Sequence, residues 1–173
     1  MRTKFVVLTL ILVFAIGIPG ALANKIAIVD VQKIMESSQM GMDYSNQLKT
    51  ETEKKMALLE EKQTAIKNLE QALTSQAKYL KDEAKEEKAR QLRIEAGDFQ
   101  MLQKKYLDEL KKLEYKLTTE LHNNILEIVG KIAEKDQYSL ILERNEGGVM
   151  FNLDAMNITD QVIKQINATH KKL

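Results

Sequence analysis

The chain has no cysteine at any of its 173 positions and a single proline, Pro19, and only 5% of its residues are aromatic. Without cysteine there is no disulfide framework, so the protein must hold itself together by packing, by oligomerisation, or by both. Without proline beyond position 19, nothing interrupts long helices downstream. Few aromatics beside 29% charged residues is the profile of extended helices rather than of a large globular core. An excess of one charge is also lacking. Arg2 and Lys4 account for two of the 26 basic residues, which leaves 24 against 25 acids after position 23. Strong nonspecific attraction to nucleic acid or to an anionic membrane is therefore not expected from net charge.

What is present begins with an export signal. Arg2 and Lys4 form a basic start, Phe5 to Ile18 an apolar stretch too short to span a bilayer comfortably, and Ala21-Leu22-Ala23 a small-x-small site. Residues 1–23 read as a signal peptide cleaved after Ala23, and no cysteine follows that would carry a lipid. The exported chain then opens with Lys25-Ile26-Ala27-Ile28-Val29-Asp30, a β-branched run, followed by Val31-Gln32-Lys33-Ile34-Met35 with apolar spacing of three and four. A strand leading into a short helix is expected. Ser37-Ser38 and Gly41 break the pattern.

From about Asp43 to Glu134 the chain is charged and proline-free, with two apolar heptad series: Leu59, Ile66, Leu73, Leu80 and Leu92, Phe99, Tyr106, Leu113. Paired outward from the charged segment between them, their position numbers add to a constant, as two helices folded back on each other require. Heptad spacing defines that constant only to within a multiple of seven. A constant of 172 centres the turn on Glu86; 165 centres it between Asp82 and Glu83, with Asp82 as N-cap and acids in the first turn. The second is favoured, which puts the turn near 81–86 and brings Asp30 opposite Lys135. The second arm adds a companion row, Ala96, Gln103, Leu110, Leu117; in the first, Leu58, Ala65, Ala72, Tyr79 lie beside the stripe, and Lys62, Leu69, Gln76 interrupt it. Each arm would have about 40 residues and reach roughly 60 Å.

Beyond the arms, Tyr138 to Glu143, the glycine turn at Gly147-Gly148 and Val149 to Asn152 read as strand, turn, strand. Thr159 is expected to cap a closing helix with Val162, Ile163 and Ile166 inward. The fold class is α+β, mostly α: a long antiparallel helical hairpin (43–134) on a small, β-rich head of three or four strands drawn from 24–42 and 135–173. A head this small has exposed edges and a thin core, so self-association is expected. No catalytic, cofactor or metal site is read. His122 and His170 have no partner at ligand spacing, and Gly147-Gly148 lacks the Lys-Ser or Lys-Thr of a phosphate loop.

The opening Lys25-Ile26-Ala27-Ile28-Val29-Asp30, the Lys/Glu hairpin, Tyr138 to Glu143 and the closing Asn157-Ile158-Thr159-Asp160-Gln161-Val162-Ile163-Lys164-Gln165-Ile166 together resemble the Skp/OmpH family of periplasmic chaperones. The resemblance implies a homotrimer with a shared β-barrel body and three hairpin tentacles. It implies an ATP-independent holdase that keeps unfolded outer-membrane proteins from aggregating before membrane insertion. Oligomerisation would fall to Ile26, Ile28, Leu140, Ile141, Leu142, Val149 and Phe151, and the arm seam to the two heptad series. Client or membrane contacts would fall to Met101, Leu107 and the tip cations Lys78, Lys81, Lys85, Lys88, Arg90 and Arg93. The arms depart from the strongly basic family pattern: Asp43 to Glu120 holds 16 basic and 16 acidic residues. Any contact with anionic membrane is thus expected to be weak and confined to the tips, and no nucleic-acid partner is expected. The competing reading is a structural coiled-coil spacer or adaptor of the cell envelope that binds a folded partner.

Overall fold

The computed structural model describes residues 25–76 and 78–170; the signal-peptide reading of 1–23 lies outside them. β1 (Ile26–Val29) leads into α1 (Val31–Ser37), whose N-cap is Asp30, its carboxylate accepting the Lys33 N–H at 2.8 Å. The break expected at Ser37-Ser38 is a single residue. Ser38 leaves helical geometry, then its buried hydroxyl accepts the Gly41 N–H and starts α2 (Gln39–Gln76). Gly41 is therefore inside a helix rather than at a break. Its lack of a side chain serves packing, since a Cβ there would lie 2.0 Å from the Met35 carbonyl oxygen.

α3 (Asp82–Asp136) is 55 residues long and returns the chain to the head. It ends at Gln137, which adopts the left-handed conformation and lets Tyr138 N–H bond the Ala133 carbonyl. β2 (Leu140–Glu143) then pairs with β1 in parallel, Ile26 opposite Leu140 and Ile28 opposite Leu142. On the other side of β1, Ile28 bridges to Asn157, and Ile158 N–H bonds the Ile28 carbonyl. A short 3-10 turn (Asp154–Met156) precedes α4 (Thr159–Thr169).

The core sits where these ends meet the base of α3. Ala27, Val29, Ile34 and Tyr44 pack with Leu117, Leu121, Ile125, Ile128 and Ile132 of α3 and with Val162 and Ile166 of α4. Both faces of β1 are covered, which suits a β-branched run without polar alternation.

Three expectations require correction. The turn between the arms falls at 78–81, ahead of the expected 81–86: Tyr79 and Leu80 N–H groups both bond the Gln76 carbonyl, Lys81 is the N-cap, and Asp82 is already helical without capping through its side chain. Leu80 thus lies in the turn and not on the seam. The basal pairs Tyr44–Glu120 and Lys55–Glu109 have position numbers adding to 164, close to the expected 165, while Lys62–Glu95 add to 157. The flanking strands report the register at the base; the tip lies about one heptad earlier.

The head, secondly, has two strands and one bridge among the described residues rather than three or four strands. The glycine turn forms, with Gly147 N–H on the Glu143 carbonyl, Val149 N–H on the Arg144 carbonyl and Gly148 at φ +66°, but Val149–Asn152 joins no strand among the described residues. Thirdly, Thr159 does not cap α4. Its buried hydroxyl accepts the Asp30 N–H, and the Asn157 side chain accepts the Thr159 N–H. A residue already bonded across the head is not free to cap.

Two glycine substitutions should move stability in opposite directions. Gly41→Ala should lower the melting temperature, because the Met35 backbone must shift, whereas Gly97→Ala, with nothing near its added methyl, should raise stability by up to about 1 kcal/mol. Thermal unfolding followed by circular dichroism reads both.

Candidate binding surfaces

The structure separates the head residues of the sequence reading into two groups. Ile28 is 3% exposed and belongs to the chain's own core; Ile26, Ile141, Leu142 and Val149 are half-buried. Leu140 and Phe151 are free. Phe151 is 81% exposed, and beside it Met150 is fully exposed, with Leu153 also in solvent. Met150 and Leu153 were absent from the sequence reading; the signal for them was an apolar stretch after a glycine turn with no polar alternation. Next to β2 a groove of about 370 Å³ is lined by Val31, Met35, Leu126, Val129 and Ile141.

In the arm, Leu59, Ile66, Leu73, Leu92, Phe99, Tyr106 and Leu113 are all half-buried, as a two-helix seam requires. Between them lie charged residues, among them Lys62, which is expected to interrupt the stripe. Lys62 meets Glu95 at 2.7 Å and Lys55 meets Glu109 at 2.6 Å, with the Lys55 ammonium 4.6 Å from the centre of the Tyr106 ring. Glu95, Leu102 and Glu109 flank the seam on one side; of the expected companion row Ala96 and Leu110 are half-buried and Leu117 is buried, while Gln103 faces solvent. Lys55 and Lys62 are pushed above the ordinary lysine value, first by hydrogen bonding to their glutamates, and Glu109 is held below the usual carboxylate range by its hydrogen bond to Lys55. Nearer the head, the Tyr44 hydroxyl donates to Glu120, and burial is the leading cause of its raised pKa.

The tip cations are less free than their number suggests. Lys78 and Lys81 are exposed, but Lys85 is paired with Asp82 at 3.0 Å, Arg90 is bound through two hydrogen bonds to Glu87, and Lys88 is half-buried. Met101 and Leu107 both stand in solvent. His170 Nε2 lies 2.9 Å from Asp43, tying the end of α4 to the start of α2, and His122 is on the exposed wall of the head groove. No group of three or more acids or imidazoles converges to hold a metal ion among the described residues, and no described helix is long and apolar enough to cross a membrane.

The hairpin offers a long, half-buried surface, and the head exposes the apolar side chains Met150, Phe151 and Leu153. The family profile for outer membrane protein (OmpH-like) matches residues 25–166, and the chain belongs to that family. The crystal structure of an OmpH-like outer membrane chaperone from Caulobacter crescentus CB15 superposes with a TM-score of 0.80 at 25% identity, covering 89% of this chain and 90% of that one. Outer membrane p25 of Pasteurella multocida is 42% identical over 67 residues, a stretch that is 39% of this chain and 34% of that protein. An uncharacterized Aquifex aeolicus protein is 26% identical over 96% of this chain and 97% of its own length.

The cross-arm pairs set a pH window. Glu109 has a depressed pKa, so its contribution is present above the unfolded carboxylate value and is lost as pH falls through the folded one; Lys55 has a raised pKa, so its contribution is lost only as pH rises through the alkaline range. Spin labels on Leu58→Cys and Leu107→Cys, diluted with unlabelled copies, should give a narrow distance distribution at neutral pH that broadens as the pH is lowered below the usual carboxylate range. The same labels on a Lys55→Leu, Glu109→Leu background should broaden less.

Proposed function

We propose that this protein is a periplasmic, ATP-independent holdase that keeps unfolded outer-membrane proteins from aggregating before they insert. The observation that carries the reading is the pairing of a long, loosely buried hairpin with an unfinished head. The arm offers extended surface and little rigidity, and the head offers apolar groups that a single chain leaves uncovered. Family membership and the likeness to a solved outer membrane chaperone support the same conclusion.

The working form is a homotrimer. Among the described residues β2 pairs only with β1, and Val149–Asn152 joins no strand although Met150 and Phe151 stand exposed. Strands contributed by neighbouring copies would satisfy both and close a shared barrel, which removes edges that otherwise promote aggregation. Three arms around a central space then confine a client with many weak contacts. Such a cage releases its contents without nucleotide, because no single contact is strong.

Mixing the protein with a denatured porin at near-stoichiometric trimer ratio should suppress light scattering on dilution, with no ATP present. Unchanged scattering, together with capture of a folded envelope protein, would favour a structural spacer instead. For assembly, Phe151→Asp should yield monomers in analytical ultracentrifugation while keeping the helical circular dichroism of the arms; a variant that stays trimeric would remove Phe151 from the interface. Ile28→Asp is the less informative change, since Ile28 is buried in the subunit itself and a charge there unfolds the head.

A further inference from the structure

Where the arm leaves the head, α2 and α3 enclose a pocket of about 160 Å³ that is separate from the groove beside β2. Its walls are two facing rows, Gly41, Tyr44, Ser45 and Leu48 on α2 and Glu114, Leu117, Thr118 and Leu121 on α3, with Met35 of α1 at the head end. Both rows follow the i, i+3, i+4, i+7 spacing that puts residues on one helix face. The opening has a cause in the sequence. Ser45 lies two heptads before Leu59, so a continuous seam would carry a large apolar side chain there. Gly41 has no room for a side chain, because the Met35 carbonyl occupies the space. Ser45 and Thr118 are small and exposed, and stand at the mouth.

The lining is apolar except at one point. Tyr44 supplies an aromatic wall, Met35 a thioether, and Leu48, Leu117 and Leu121 aliphatic sides. The Tyr44 ring is held in place by the bond from its hydroxyl to Glu120. Glu114 is the single charged residue of the lining, and among the described residues it makes no hydrogen bond or ion pair. Glu120, by contrast, is bonded to Tyr44 and lies 3.8 Å from Lys116. A carboxylate without a partner thus overlooks an apolar hole.

We propose that this pocket binds a small arylalkylammonium ion, a single aromatic ring carrying an ammonium group on a short linker. Size selects the ring, since a protein cavity of about 150 Å³ holds one benzene molecule. The Tyr44 ring and the Met35 sulfur favour an aromatic occupant over an aliphatic one. Charge selects the substituent. An ammonium at the mouth forms a charge-assisted hydrogen bond with Glu114, whereas a carboxylate there is repelled. Phe151 of a neighbouring copy suits the pocket less well, because its neighbours Met150 and Asn152 bring no cation to Glu114. A bound ring touches α2 and α3 together just beyond the Ser38 joint, so occupancy ties the two helices to each other at the base of the arm. The assignment does not depend on the holdase reading.

The test is saturation-transfer NMR on the assembled protein with 2-phenylethylammonium as the probe. That ion should bind with a dissociation constant of about 1 mM, the range open to so small a ligand. The same ring with a carboxylate, 3-phenylpropionate, should bind about tenfold more weakly or worse. Glu114→Gln should weaken the ammonium about tenfold and remove the preference between the two probes. Thr118→Leu and Ser45→Leu each put a branched side chain into the space and should abolish binding, with helical circular dichroism retained; Glu114→Gln, a change at the surface, carries the test if neither leucine variant folds. Equal affinity for the two probes, ammonium binding unchanged by Glu114→Gln or by a folded leucine variant, or no binding at all would overturn the assignment. So would binding confined to Phe151→Asp monomers, which would put a neighbouring copy in the pocket of the assembled protein.

Discussion

Burial of one row on α3, Leu117, Leu121, Ile125, Ile128 and Ile132, is what the remaining structure rests on. β1, α1, the start of α2 and α4 join that row in one core, to which Ala27, Ile34, Val162 and Ile166 contribute side chains wholly withdrawn from water. The row belongs to the same unbroken helix that forms the second arm, so head and arm have no joint between them on that side. On the other side the chain does have a joint, at Ser38, where α1 gives way to α2. The Ser38 hydroxyl, Asn167 on the Gln39 N–H and His170 on Asp43 brace it from three directions.

Away from this base the packing thins. Above Leu113 the seam residues are half-buried, and two layers that an apolar coiled coil would fill hold Lys–Glu pairs. Partly exposed ion pairs contribute little stability each, yet they specify which helical faces meet. The arm is therefore defined in register without being rigid. Its distal end depends on pairs that salt and acid weaken, while its base depends on apolar burial that they do not.

The same pairs explain why total charge is a poor guide here. Equal numbers of acids and bases along Asp43 to Glu120 suggest electrostatic indifference. Placement refines that conclusion, because Glu95 and Glu109 are committed to Lys62 and Lys55 across the seam, while Glu109 also lies 3.9 Å from Lys105 on the outer side. Field at a surface depends on which charges share it, and only the folded arm says which do.

Much of the architecture was legible in the residues. The β-branched run at Ile26–Val29, the change to helical spacing at Val31, the two heptad series and the matching run at Leu140–Glu143 each state their own secondary structure, because side-chain periodicity reports it locally. The pairing of the first and second runs followed from folding the hairpin back. The turn did not follow, since a seven-residue repeat cannot distinguish registers one heptad apart and no glycine or proline marks 78–81. Nor did the role of Lys62, which as an isolated letter interrupts a stripe and in the fold completes it. Thr159 lost the capping role that local rules assign it, because a hydrogen bond from Asp30, more than a hundred residues away, had first claim on the threonine hydroxyl. Residue patterns were enough for β1, the helical arms, β2, the closing helix and the antiparallel return, but not for Val149–Asn152, where the expected strand does not form among the described residues. Tertiary structure alone decided which charges are buried together and which apolar residues of Val149–Leu153 stay uncovered, because both depend on neighbours distant in the chain.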